Sequence, residues 1–266
     1  MTLPNRLSGK TVLIVGAAGN LGPVWTQALL HEGAFVLGVG LGVDDDPTLK
    51  DLSLTFPNLL KLAELDVTKD FALSNLAHEL GQTLGTNSLD GIVMNAGIDS
   101  VPGTGRLALE EYDQAEWERI FRVNVFGIIG ALNTFSPTLK NPSSVVMLGS
   151  LYGIVSPKPS LYSHFNEGRG SIKHPAYGAS KAALVAAARQ YGTHLAPRGI
   201  RVNTLTLGGV AAGQDHEFVE KFEAHVPQAK MLSVEDVTGA MVFLLSDDSR
   251  AMTAQNVVVD GGFSAW

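Results

Sequence analysis

Cysteine is absent from this chain of 266 residues, so disulfides, thiolate nucleophiles and cysteine-ligated metals are excluded. The seven histidines show no spacing at which they would converge on a metal ion. No apolar run approaches the length of a membrane span, and Met1-Thr-Leu-Pro-Asn-Arg6 lacks the apolar segment of a secretory signal. A soluble cytoplasmic protein is the expectation. Basic runs are missing as well, and a net charge of −7 offers no footprint for nucleic acid or for an acidic membrane. What is plentiful is glycine, at 29 residues, and apolar side chains, at 45%. That balance suits a sheet buried on both faces and many tight turns between strands and helices.

Apolar strand-like runs alternate with helix-length segments throughout. Strands are expected at Thr11–Val15, Ala34–Val39, Leu59–Leu65, Leu89–Met94, Ser144–Leu148, Ile200–Leu205 and Asn256–Val259. Helices are expected over Leu21–His31, Lys69–Leu80 and Gln114–Phe135, with a further one carrying Tyr177 and ending near Ala196, where Pro197-Arg-Gly stops it. The alternation predicts an α/β, doubly wound Rossmann fold: one parallel sheet of about seven strands with helices on both faces and right-handed crossovers. Without repeat, low-complexity tract or linker, residues 1–266 read as a single domain. One segment breaks the rhythm. Residues 153–175 are rich in proline, glycine and polar residues, which forbid a long helix or a central strand. The segment is either a substrate-side wall or a tolerated surface insertion.

Tyr177 and Lys181 stand four positions apart on the expected helix, so their side chains share one face. An ammonium beside a phenol favours the phenolate, which would fit the tyrosine for proton transfer near neutral pH. Alone, the spacing is common in helices. Its context is the glycine-rich turn Gly16-Ala-Ala-Gly-Asn20-Leu21-Gly22 between the first strand and first helix, where backbone can approach a pyrophosphate at a helix N-terminus. Asp66 in Leu-Asp-Val67 and Asn95-Ala96-Gly97 follow the third and fourth strands, at the sheet edge where ligands bind in such folds. Each has an ordinary turn reading beside the functional one.

In this order and over nearly the full length, the motifs resemble those of the short-chain dehydrogenase/reductase family, including members similar to 3-oxoacyl-carrier-protein reductases and sugar-acid-pathway enzymes. They comprise the glycine turn, Leu65-Asp66-Val67, Asn95-Ala-Gly97, Asn124 in Val-Asn-Val-Phe-Gly, Ser150 in Leu-Gly-Ser-Leu-Tyr-Gly, Tyr177 with Lys181, Arg201-Val-Asn leading to the stretch Leu207-Gly208-Gly-Val210, and the closing Gln255–Gly262. The resemblance implies an NAD(P)-dependent oxidoreductase interconverting a secondary alcohol and a ketone. It assigns Tyr177 as general acid/base, Lys181 as the group that lowers its pKa and holds the nicotinamide ribose, Ser150 as the partner of the substrate oxygen, and Asn124 as the residue that positions a water behind Lys181. Cofactor contacts would come from Gly16, Asn20, Leu21, Gly22, Asp66, Val67, Asn95, Ala96, Gly97, Tyr177, Lys181, Gly208 and Val210. A homotetramer is also implied, in keeping with the small apolar stretch Ala182–Ala188.

The departures have consequences too. Val15 replaces the usual threonine and Asn20 the usual middle glycine, giving a spacing also seen in the family's extended members, which include sugar-nucleotide epimerases. Leu207 stands where proline is usual, which would loosen the following loop. Ser150 and Tyr177 are 27 positions apart, about twice the common separation, because of the insertion. At the end of the second strand Gly40 occupies the usual acidic position. Asp44, Asp45 or Asp46 could fold back to repel a 2′-phosphate, and NAD is favoured over NADP. The competing readings are a catalytically silent nucleotide sensor or scaffold and an epimerase or dehydratase using transient oxidation. An enoyl reductase is disfavoured by the tyrosine–lysine spacing.

Overall fold

Alternation of apolar side chains along the strands decides which face each residue buries. In β1 (Thr11–Val15), Val12 and Ile14 enter one apolar cluster, and Leu13 and Val15 enter another on the opposite face. β2 (Phe35–Gly40) divides the same way, Val36 to the first cluster and Leu37 and Val39 to the second. Both faces therefore need a covering layer, and helices supply it. The computed structural model describes residues 5–84, 88–99, 114–165 and 173–266.

The first face is covered by α1 (Gly22–His31), α2 (Pro47–Thr55) and α8 (Val234–Leu245), through Trp25, Leu29, Leu49, Met241 and Leu245 among others. The second is covered by α3 (Asp70–Leu84), α5 (Ile128–Phe135) and α6 (Pro175–Leu195), through Leu73, Ile128, Phe135, Leu184 and Ala188. Each fully buried leucine or phenylalanine contributes on the order of 1.5–3 kcal/mol of transfer free energy. The remaining strands are β3 (Leu60–Glu64), β4 (Leu89–Met94), β5 (Leu139–Ser150), β6 (Ile200–Leu207) and β7 (Asn256–Val259).

All seven strands are parallel, in the order β3-β2-β1-β4-β5-β6-β7. β1 is flanked by β2 and β4, so the order reverses there. A crevice opens outside the C-terminal ends of β1 and β4, and in open α/β sheets ligands lodge at such a crevice.

Several elements differ from the sequence reading. The single helix expected over 114–135 is α4 (Gln114–Phe121), a π-helical turn (Arg122–Gly127) and α5. β5 extends well beyond 144–148 at both ends, since β6 pairs with it from Ser143 to Ser150. α2 was not anticipated. Asp46 caps it by accepting a hydrogen bond from the Leu49 N–H at 3.0 Å, with Pro47 opening the first turn. Asp46 is thus committed to a helix and does not fold back toward a ribose. Asp45, nearly fully exposed, faces Lys50 at 3.8 Å. No helix among the described residues is long and apolar enough to cross a membrane.

Candidate active site

The glycine turn after β1 divides its work among its glycines. Gly16 has φ +91°, and a Cβ there would run into the backbone of Ala96; one on Gly22 would run into the Ala17 carbonyl. Gly16 lets the ends of β1 and β4 close on each other, and Gly22 lets the turn fold tightly onto the start of α1. Gly19, at φ +93°, faces open space, so backbone there can approach a ligand that a side chain would keep away. No side chain caps α1 at Leu21, and the first-turn N–H groups address the same space, a seat for an anion such as a pyrophosphate. Asn20 is exposed beside it. These residues fit a dinucleotide.

Asn95 acts as a clasp. Its amide donates to the Gly16 carbonyl at 2.6 Å and accepts from the Trp25 indole N–H at 2.9 Å, fixing the turn to the end of β4. Asp66 accepts from the hydroxyl of Thr68 at 2.7 Å and from its N–H at 2.9 Å, both on Oδ1. Those bonds hold its carboxyl below the usual range, and Oδ2 remains to face a ligand. Val67 lies under the π-helical turn, where a Cβ on Gly127 would come within 2.7 Å of it. After β6, a Cβ on Gly208 would meet the Asp260 backbone at 2.8 Å. Val210 bridges to Leu232, and Leu232 N–H donates to the Gly209 carbonyl at 2.9 Å. That pairing holds the loop without the proline, so the loosening expected from Leu207 is not found.

The four residues expected at the chemistry come together. Ser150 ends β5 with its hydroxyl near enough to the Tyr177 phenol to favour the phenolate, and it accepts from the Tyr152 N–H at 3.3 Å. Lys181, buried, donates to the Leu148 carbonyl at 3.1 Å, and its Nζ lies 5.8 Å from the Tyr177 ring centroid. Asn124 is fully buried in the π-helical turn, a defect that often marks a functional position. It accepts from the Ile98 N–H at 2.8 Å and donates to the Ile98 carbonyl at 2.9 Å and the Ser180 hydroxyl at 3.0 Å. Gly97 separates Lys181 from Asn124: a Cβ there would lie 3.2 Å from Nζ and 3.5 Å from Oδ1.

The electrostatics correct the expectation for the phenol. Burial pushes Tyr177 up to about 12, aided by the negative charge of Asp99 and opposed by the Ser150 hydroxyl. Burial pushes Lys181 down to about 8, with Asp99 acting the other way. Lys181 therefore gives up its proton before the phenol titrates, and its charge is gone where the phenolate would form.

The sequence model of a family described as enoyl-(acyl carrier protein) reductase matches residues 16–264. The chain is 27% identical to the 3-oxoacyl-(acyl-carrier-protein) reductase of Thermotoga maritima, covering 97% of this chain and 98% of that protein. It is 29% identical to a 2-(S)-hydroxypropyl-CoM dehydrogenase of Xanthobacter autotrophicus, covering 99% and 100%. Among solved structures, a gluconate 5-dehydrogenase of Burkholderia cenocepacia in complex with NADP and tartrate superposes with a TM-score of 0.81 at 21% identity, over 98% of both chains. A short-chain dehydrogenase of Leptospira borgpetersenii with bound NAD+ superposes with a TM-score of 0.83 at 23% identity, over 99% and 97%. The chain belongs to the short-chain dehydrogenase/reductase family. It is an oxidoreductase.

The described part of the 153–175 insertion in this short-chain dehydrogenase/reductase is anchored. Residues Pro159–Phe165 form a 3₁₀ segment whose Leu161 is fully buried against Phe222, Met231 and Phe263. Tyr162 shares a 2.6 Å hydrogen bond with Tyr152, and His164 sits 2.8 Å from Asp215, which caps α7 (His216–Glu223). The insertion thus owns a small core, although its polar composition hid it. Arg169 and the rest of 166–172 lie outside the described residues.

Sequence reasoning missed three groups at the site. Asp99, two residues past Gly97, is ion-paired with Lys173. Tyr152, two past Ser150, stacks under the same lysine, whose Nζ lies 4.9 Å from its ring centroid. Glu64, at the end of β3 and paired in register with Gly40, accepts from the Gly42 N–H at 3.1 Å. The carboxylate that the end of β2 lacks stands one strand away. Among the described residues no cluster of three or more His, Asp or Glu is placed to hold a metal ion.

Proposed function

We propose that this chain, working as one dinucleotide-binding and catalytic domain, interconverts a secondary alcohol and a ketone, with Tyr177 as general acid/base. The observation that carries the reading is the convergence on Tyr177 of Ser150, at the C-terminal end of β5, and Lys181, whose Nζ lies 5.8 Å from the tyrosine ring centroid. Hydride acceptance or donation is the chemistry a nicotinamide supplies when bound. Ser150 offers its hydroxyl to the substrate oxygen and orients it toward the phenol. Tyr177 gives that oxygen a proton in ketone reduction and takes one in alcohol oxidation. Lys181 reaches past Gly97 to hold the ribose hydroxyls, and Asn124 fixes the loop after β4 that forms the floor of the site. The wall built by Tyr152, Tyr162 and the 3₁₀ segment shields the reacting atoms from water.

NAD in preference to NADP fits the charges near the ribose end. Glu64 lies beneath the loop that follows β2, where a 2′-phosphate needs a cation. A cytoplasmic homotetramer completes the reading. Ala182 and Ala186 lie exposed on α6, small enough for two helices to pack closely, and Phe126 on the neighbouring π-helical turn is 66% exposed.

The test is to mix the purified protein with NAD or NADP and a panel of sugars, sugar acids, acyl thioesters and steroids, following nicotinamide absorbance. At least one secondary alcohol or ketone should give substrate-dependent turnover, faster with NAD. Dinucleotide binding with no turnover on any member would favour the silent sensor instead.

A further inference from the structure

We propose that Lys173 is a second cationic support for Tyr177, held in place by Asp99, and that this pair sets the pH at which the tyrosine exchanges its proton. The inference rests on the reading of Tyr177 as the acid/base. Lys173 Nζ lies 4.7 Å from the centroid of the Tyr177 ring, nearer than the 5.8 Å of Lys181. Both fall within the ~6 Å over which a cation acts on an aromatic ring. The two lysines differ in solvation. Lys181 is 5% exposed as a residue, whereas the Lys173 side chain is 22% exposed and ion-paired with Asp99.

The pair also has a fixed origin in the fold. Lys173 immediately precedes His174, the residue that caps α6, and Asp99 follows the Asn-Ala-Gly turn after β4.

The groups facing Tyr177 come from four elements. Lys181 lies on its own helix and Ser150 at the end of β5. Tyr152 and Tyr162 belong to the wall, and Asp99 follows β4. His174 is engaged with the Ala176 N–H at 3.1 Å and packs edge-on against Trp117. Of these, Asp99 and Tyr152 oppose the phenolate and the Ser150 hydroxyl favours it. Lys173 screens the Asp99 charge and adds one of its own. Lys173 acts through Tyr177 and is therefore a positioning residue.

The two partners have opposite signs, which a purely structural role would not reproduce. Lys173→Met should raise the Tyr177 midpoint and Asp99→Asn should lower it, each by at least one pH unit, a tenfold change in phenolate at fixed pH. Lys173→Arg should stay near the parent value. The midpoint is read by NMR on protein carrying 13Cζ-labelled tyrosine, with and without NAD, and Tyr177→Phe assigns the signal. This readout needs no substrate. Split midpoints in a protein that turns nothing over would sink the acid/base reading while upholding the electrostatic pair. Midpoints that move in the same direction, or not at all, would overturn the inference. Where a substrate is found, the pH profile of kcat for oxidation should shift in the same two directions.

Discussion

Lys181 is buried at a cost to stability. Its pKa falls from 10.5 in the open chain to about 8 in the fold. Below pH 8 the folded state must either hold a poorly solvated charge or surrender a proton that the unfolded chain keeps, so the penalty is fully present there. It shrinks as pH rises from 8 toward 10.5 and vanishes above that. The difference corresponds to roughly 3 kcal/mol at 1.36 kcal/mol per unit, reduced by the lost hydrogen bond to Leu148. Lys181→Met should therefore stabilise the protein by about 1–3 kcal/mol near neutral pH while abolishing turnover, and the gain should fade above pH 10. Thermal melts across pH check this. Unchanged or lower stability at pH 7 would show that the lysine is held comfortably. The sequence alone placed Tyr177 and Lys181 together correctly, because a spacing of four residues on a helix is geometry. It misjudged the phenol's pKa because burial depends on the insertion and on Asp99, neither of which the spacing reveals.

At the scale of elements, strands were the most legible parts. β1 and β4 match the expected spans, since parallel strands buried on both faces read as short continuous apolar runs. α2 was hidden because Asp44-Asp-Asp46 looked like a loop of free charges, and only the cap geometry shows one of them opening a helix. The insertion was hidden for a different reason. A single buried leucine among prolines and polar residues has no periodicity, yet Leu161 joins a cluster supplied by α7 and the C-terminal 3₁₀ turn at Phe263. Leu161→Ala should cost about 2–4 kcal/mol, seen as a lowered denaturation midpoint. It should also raise the substrate KM several-fold with little change in NAD affinity, because the wall and not the dinucleotide cradle loosens. Equal effects on both affinities would argue against a substrate-side wall. In the cradle, Gly16→Ala should lower stability as well as NAD binding, because its Cβ meets the Ala96 backbone. Gly19→Ala should weaken NAD binding with a smaller loss of stability, because its Cβ enters only the open space a ligand would take.

Over the whole molecule, the alternation of strands and helices foretold a doubly wound parallel sheet, while the strand order emerges from packing between segments far apart in sequence. That order sets the glycine turn and Asn95 side by side at one edge of the sheet, and β5 next to them carries Ser150. Assembly belongs to this scale as well. If α6 packs against its symmetry mate, light scattering at micromolar concentration should report a tetramer, and Ala186→Glu should split it into smaller species without unfolding them. A monomeric parent protein would contradict that arrangement. The central claim, that this site moves a proton through Tyr177 as hydride is transferred, is tested most directly by one substitution. Tyr177→Phe keeps the ring and removes the proton. Turnover should fall by at least about a thousandfold, as loss of an acid/base group and its hydrogen bond demands, while NAD affinity stays within a few-fold. Turnover within about tenfold of the parent enzyme would contradict the account.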